Sequence, residues 1–347
     1  MNKKVLLGMS GGVDSSVSAV LLKERGYDVT GVTLNLFPCT SCYSYIDVKS
    51  LCRKIGVEHY ILDGKDDFKK YVIDDFIQSY DNCLTPNPCI ECNKYMKFGY
   101  MYKKAKELGC DYVATGHYAK VEYDEKYGKF VLRKSHAGRK DQSYVLWNIP
   151  KNMLEHVIFP LADFESKEKI REIAREHELP VANKPDSEDI CFIPDGDYKR
   201  FLEENSHIKP KPGNIILEDG TVVGKHTGLY HYTIGQRKGL GISYKVPLFV
   251  IGFNKKNNEL IVGEEHELYK KEVTIKDINL LLVDDIYKPL RVSVKTRYSS
   301  KEAVATATQI DDNTIKIVFD EPQARITPGQ SAVMYIDDIV VGGGKII

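Results

Sequence analysis

The sequence predicts an α/β protein: an N-terminal parallel sheet with helices on both faces, followed by a small central domain and a C-terminal antiparallel β-barrel. Three observations predict it. From Lys4 to about Ile193, short apolar runs alternate with amphipathic stretches, the pattern of strand–helix–strand crossovers over a parallel sheet. That texture changes near residue 200. From Glu272 onward, short strand patterns separated by turn residues dominate. The 347 residues allow two or three domains at roughly 150 residues each, with boundaries expected at 1–199, 200–270 and 271–347.

Composition narrows the class further. Hydrophobic residues at 42% and charged residues at 28% exclude a disordered chain or a disulfide mini-scaffold. No apolar run approaches the roughly 18 to 20 residues that span a bilayer, and Met1-Asn2-Lys3-Lys4-Val5 runs straight into a strand pattern. A cytoplasmic protein without a membrane partner is expected. The 49 basic and 49 acidic residues cancel, so bulk charge does not announce a polyanion, although a local basic patch can still bind RNA. The eight cysteines at 39, 42, 52, 83, 89, 92, 110 and 191 point to reduced thiols, metal or catalysis.

In chain order, Val5 to Met9, Val29 to Leu36, His59 to Leu62 and Tyr112 to Thr115 read as strands. Ser15 to Arg25, Asp47 to Ile55, Phe68 to Tyr80, Lys94 to Leu108 and Lys167 to His177 read as helices. Asn214 to Gly224 reads as a hairpin about Asp219-Gly220. Arg291 to Arg297, Ala303 to Gln309, Thr314 to Phe319 and Ser331 to Ile336 supply the barrel. Alternation puts Val292, Val294 and Thr296 on one face and Arg291, Lys295 and Arg297 on the other, a basic outer strand that is either an RNA contact or a solvated face.

The first strand runs into Ser10-Gly11-Gly12-Val13-Asp14-Ser15-Ser16 and then a helix. Glycines let the backbone approach an anion, hydroxyls donate, and the helix N-terminus adds partial positive charge. This is a phosphate cradle. It lacks the Walker lysine and the three-glycine dinucleotide fingerprint. The string resembles the loop of the N-type ATP pyrophosphatases (PP-loop, adenine-nucleotide alpha hydrolase-like), which cleave ATP between the α and β phosphates and adenylate a substrate oxygen. Adenylation suits replacement of a carbonyl oxygen, since oxide leaves poorly and AMP leaves well.

Thr85-Pro86-Asn87-Pro88-Cys89-Ile90-Glu91-Cys92-Asn93-Lys94 reads as an extended, proline-fixed loop before a helix. Proximity of Cys92 to that helix N-terminus and to Lys94 is expected to favour its thiolate. Cys191 lies in Asp186-Ser-Glu-Asp-Ile-Cys-Phe-Ile193, and the segments are able to meet at the carboxyl edge of the sheet. His117, by default a buried core histidine, gains a functional reading from Thr115-Gly116-His117 beside a nucleotide loop. Cys52 and Cys110 read as packing residues, and Cys83 is unassigned.

End to end, the chain resembles the bacterial tRNA-specific 2-thiouridylases. The resemblance rests on the phosphate loop, Thr85 to Phe98, Ala114 to Tyr118, Lys140 to Tyr144, the Cys191 segment, Gly235 to Gly241, Lys295 to Tyr298, Thr327 to Gln330 and Gly342 to Gly344. It implies that the 2-oxygen of wobble uridine 34 in glutamate, lysine and glutamine tRNAs is adenylated and AMP is then displaced by sulfur. The wobble base lies in a single-stranded loop and is extruded at modest cost. By the same resemblance Gly8, Met9, Ser10, Gly11, Gly12, Val13, Asp14, Ser15, Leu34 and Gly116 bind ATP with Mg2+, and Asn87, Pro88 and Cys89 face the base. Cys92 matches the nucleophile and Cys191 the persulfide carrier. His117, Lys140, Asp141, Gln142, Arg297, Tyr298 and Gln330 match positions that touch tRNA.

Two departures stand out. The family carries Asp where this sequence has Cys89, and Ser187-Glu188-Asp189 stands where Ser-Thr-Gly is common. Cys89, Cys92 and Cys191 would therefore suit a 4Fe–4S cluster with one open iron holding hydrosulfide. Persulfide and disulfide chemistry, and a zinc site built from Cys39, Cys42, Cys89 and Cys92, are the other two readings. The sulfur donor is expected to be a cysteine desulfurase, a sulfur relay protein or free sulfide, with no DNA partner. The rival functions are another ATP-dependent ligase with the same loop, which has no use for Cys92 and Cys191 together, and a non-catalytic RNA-binding or iron–sulfur protein.

Overall fold

The computed structural model describes residues 2–37, 45–185 and 190–347. Strands β1 (Lys4–Gly8), β2 (Asp28–Asn35), β3 (Glu58–Asp63) and β4 (Tyr112–Ala114) precede a hairpin, β5 (Ala119–Asp124) and β6 (Lys129–Lys134), and a short strand β7 (Val157–Ile158). Four of these and β7 form a parallel sheet in the order β3-β2-β1-β4-β7. Both faces are buried, as a continuous apolar run such as Val5-Leu6-Leu7 requires. Val5 and Leu7 pack with Val17 and Val20 of helix α1 (Val13–Glu24), whereas Leu6 packs with Phe98 and Met101 on the opposite face.

The central sheet contains β8 (Gly213–Ile216), β9 (Val222–His226), β10 (Phe249–Asn254) and β11 (Glu259–Gly263), in the order β10-β11-β8-β9. The C-terminal strands are β12 (Tyr269–Leu280), β13 (Leu290–Lys295), β14 (Ala303–Asp311), β15 (Thr314–Ala324), β16 (Ser331–Ile336) and β17 (Ile339–Ile346). They run in the order β12-β15-β14-β13-β16-β17, and pairing of β12 with β17 closes the antiparallel barrel. Val292, Val294 and Thr296 face inward, as alternation predicts.

Two features depart from the sequence reading. The β5–β6 hairpin, which the strand patterns did not suggest, leaves the parallel sheet and joins β17 through Ile339 and Arg133. The core therefore runs on from sheet to barrel: Leu6, Val32 and Val113 share one buried cluster with Trp147, Val333, Tyr335 and Val340. The second departure is the helix expected to start at Lys94. It begins at Pro88, with Asn87 as its cap accepting the Cys89 N–H at 3.2 Å. Proline at the first helical position behind an asparagine cap is a helix start, so these prolines open a helix. The helix continues to Glu107 through a wider π-helical stretch, Cys92–Tyr100.

Cys52 and Cys110 are buried among core side chains, and Cys83 packs at the edge of the central domain's core. Among the described residues no helix is long and apolar enough to cross a membrane.

Candidate active site

The loop between β1 and α1 is tied to itself by its hydroxyls. Ser10 and Ser15 share a hydrogen bond at 3.1 Å, and the Ser15 and Ser16 hydroxyls donate to the Gly12 carbonyl at 3.2 and 2.7 Å. Met9 and Val13 are buried, so of the expected nucleotide residues these two offer backbone rather than side chain. Gly8 ends β1, and half-buried Leu34 lies near the end of β2. Gly116 follows β4 and lies against the first turn of α1. A Cβ there would come within 2.9 Å of the Asp14 carbonyl carbon and the Ser15 nitrogen, so only glycine permits this approach. These groups meet at the carboxyl edge of the sheet, where open α/β folds bind ligands.

Two lysines that the sequence reading missed supply the cationic character the loop lacks. The Lys167 ammonium lies 2.9 Å from Asp14, whose other carboxylate oxygen accepts the Tyr118 hydroxyl at 2.7 Å. Lys184 donates to the Gly11 carbonyl at 2.7 Å, and Arg171 holds the Lys184 segment by the carbonyls of Ala182 and Lys184 at 2.6 and 2.8 Å. Neither lysine belongs to a local motif. A signal was present only for Lys167, which opens the helix following β7 and so faces the same sheet edge.

An aromatic cluster holds Cys92 and borders Cys191. Phe192, next to Cys191, meets Phe68, Phe76 and Phe201 at ring separations of 5.7, 5.4 and 5.3 Å, and Cys92 is buried in the same cluster. Cys89 is exposed at the second position of its helix. Burial pushes the Cys92 thiol up to about 11 despite the nearby Lys97 ammonium. This corrects the expectation of a favoured thiolate: Cys92 lies one turn inside the helix, and Lys94 sits over the Tyr95 ring at 5.2 Å. Cys191 is exposed as a residue, yet crowding around its sulfur, with Cys92 and Cys89 close by, pushes it up to about 12.

Among the described residues no three histidine, cysteine or acidic side chains converge to hold a metal ion. The zinc reading depends on Cys39 and Cys42, which lie outside the described residues, as do Ser187, Glu188 and Asp189.

His117 is buried, hydrogen-bonded to Thr115 Oγ1 at 2.6 Å and to Lys97 Nζ at 3.3 Å. Burial, with Lys97, holds it well below the usual histidine range. That direction favours the uncharged ring. The other expected RNA-facing residues divide by exposure. Lys140 is exposed and Tyr298 is 38% exposed; burial, with Asp141 and Cys89 nearby, raises the Tyr298 hydroxyl. Asp141 caps a turn, accepting from the Ser135 N–H at 2.9 Å and the Ser143 hydroxyl at 2.7 Å. Gln142 pairs with the Tyr118 backbone N–H at 3.0 Å, and Pro88 is buried. Arg297 bridges the Ile234 carbonyl at 3.0 Å and the Thr327 hydroxyl. Gln330 donates to the Thr85 carbonyl at 2.8 Å. Asp141, Gln142, Arg297 and Gln330 therefore hold the framework in this conformation.

With this geometry in place, family comparison is decisive. Residues 3–195 match the model described as tRNA methyl transferase HUP domain, 199–264 the tRNA methyl transferase PRC-barrel domain, and 270–346 the aminomethyltransferase beta-barrel domain. The tRNA-specific 2-thiouridylase MnmA of Clostridioides difficile is 50% identical over 356 residues, covering 100% of this chain and 98% of that protein. The chain belongs to the tRNA-specific 2-thiouridylase family. Proteins of the same name from Acetivibrio thermocellus and Clostridium perfringens are 46% and 47% identical, each covering 99% of this chain and 99% and 98% of their own length. Membership thus extends over all three sheets.

Proposed function

We propose that this chain is an ATP-dependent tRNA-uridine 2-sulfurtransferase of the cytoplasm, acting on wobble uridine 34 of lysine, glutamate and glutamine tRNAs. The nucleotide, arriving as its Mg2+ complex, seats its phosphates on the Gly8 to Ser15 loop with Lys167 and Lys184 at hand. The uridine 2-oxygen attacks the α-phosphorus and pyrophosphate leaves. Positive charge at the loop stabilises the charge that develops on the phosphates. Residues 1–199 form the catalytic unit, while 200–270 and 271–347 seat the tRNA, with Lys140 and Tyr298 on the exposed rim.

Sulfur arrives as a persulfide on Cys191, supplied by a cysteine desulfurase or a relay protein. Its terminal sulfur attacks uridine C2 and AMP departs. Cys92 then attacks the Cys191 sulfur of the resulting mixed disulfide, which frees the 2-thio group and leaves a Cys92–Cys191 disulfide for a thiol reductant. Lys97, beside both thiols, favours their anionic forms.

The observation that carries this reading is the meeting of Cys191, next to Phe192, with Cys92, buried in the aromatic cluster that holds Phe192, both beside Lys97. A ligase that joins an amine to an adenylate has no use for the second thiol. The test supplies aerobically purified, iron-free protein with ATP, a persulfide donor and a lysine tRNA transcript. Expected are tRNA-dependent AMP and 2-thiouridine in the digested RNA, and neither with a transcript carrying cytidine at position 34. Thiolation that requires added iron would overturn the persulfide route. AMP formation without 2-thiouridine, with or without iron, would overturn the sulfurtransferase reading.

A further inference from the structure

The barrel touches the thiol segment at two places, one upstream of the Cys89–Cys92 turn and one within it. Upstream, the Thr85 N–H donates to the Pro328 carbonyl at 2.9 Å, and Gln330 donates to the Thr85 and Pro86 carbonyls at 2.8 and 3.3 Å. Gly329 lies so near that a Cβ would come within 2.7 Å of the Thr85 nitrogen. Within the turn, Lys345 of β17 reaches Glu91 at 3.0 Å, and it also reaches Asp75 at 3.3 Å. Glu91 immediately precedes Cys92, and its side chain is only 7% exposed. One ammonium thus ties β17 to two helical segments, 65–81 and 88–107.

A carboxylate buried this deeply is costly without a partner, and Lys345 is the partner the barrel provides. Cys92 is held on the same turn by its burial against Phe68 and Met96. Loss of the ammonium leaves Glu91 to seek water, and the turn that carries Cys92 shifts with it. The phosphate loop is insulated from that shift, because its contacts run to Tyr118, Lys167 and Lys184.

We propose that Lys345 is a positioning residue for sulfur transfer, through which the C-terminal barrel fixes Cys92 by way of Glu91. This rests on the sulfurtransferase reading above. It makes the barrel part of the thiol site as well as a surface for tRNA.

The experiment measures tRNA-dependent AMP formation and 2-thiouridine formation side by side in the full-length wild type, Lys345→Met, Lys345→Arg and Glu91→Gln. Misplacement of about 1 Å costs on the order of 100-fold in a chemical step, so Lys345→Met is expected to lose about 10- to 100-fold in thiolation rate. Its AMP formation and its KM for tRNA should stay within about twofold of wild type. Lys345→Arg should recover most of the thiolation rate. If Lys345→Met proves insoluble, Glu91→Gln, which keeps the Lys345–Asp75 pair, is held to the same split. Unchanged thiolation, or equal loss of AMP and 2-thiouridine in a folded variant, overturns the proposal. A wild type that forms no 2-thiouridine instead overturns the reading beneath it.

Discussion

The phosphate loop and the thiol site lie at one edge of the same sheet but are built in opposite ways. The loop is one contiguous stretch whose serines satisfy one another within a few residues. The thiol site joins a helix start, the segment before Phe192, and two barrel contacts. A local site is insensitive to distant packing, whereas an assembled one inherits the geometry of everything that holds it. The two half-reactions should accordingly separate under mutation.

The largest effect is expected at the loop. Asp14→Ala or Ser10→Ala should lower tRNA-dependent AMP formation by about 100-fold or more, with circular dichroism near wild type for both because the loop is not core and a lower melting temperature only for Asp14→Ala, which strips partners from Tyr118 and Lys167. Unchanged AMP formation in either variant would break the nucleotide assignment.

A smaller effect separates framework from RNA contact among the basic residues. Arg297→Ala should cost about 1–3 kcal/mol of stability, since it strips partners from the Ile234 carbonyl and the Thr327 hydroxyl. Lys140→Ala should leave the melting temperature alone and reduce the salt slope of tRNA binding by about one. The reverse outcome, with Arg297→Ala stable but weak in tRNA binding, would return the barrel strand to the RNA interface.

The third expectation concerns pH. The Cys92 thiol is raised to about 11 by burial, so the folded protein holds that proton after the unfolded chain has lost it. The contribution is complete below the unfolded thiol value and is lost as pH rises through the folded one, so stability falls between them. Peptide-resolved iodoacetamide labelling should show Cys92 reactivity still climbing toward pH 11. A plateau near pH 9 would mean that the thiol is not buried in solution.

What the sequence revealed follows the same division. The loop was legible because its chemistry needs neighbours in sequence, and the barrel's alternating Val292, Val294 and Thr296 were legible because a strand has period two. Lys167 and Lys184 were not, because the fold delivers them to the loop from far along the chain. The framework bonds of Arg297 and Gln330 were not legible either, because a polar side chain carries no mark in sequence of the carbonyl it will meet. The start at Pro88 was misjudged because proline serves both an extended segment and a helix's first turn.

The most direct test of the division is to assay both half-reactions in Cys92→Ser and Cys191→Ser with a persulfide donor. The account predicts tRNA-dependent AMP formation within about twofold of wild type and no 2-thiouridine from either variant. Thiolation at the wild-type rate in either one, or loss of AMP formation together with thiolation, would contradict it.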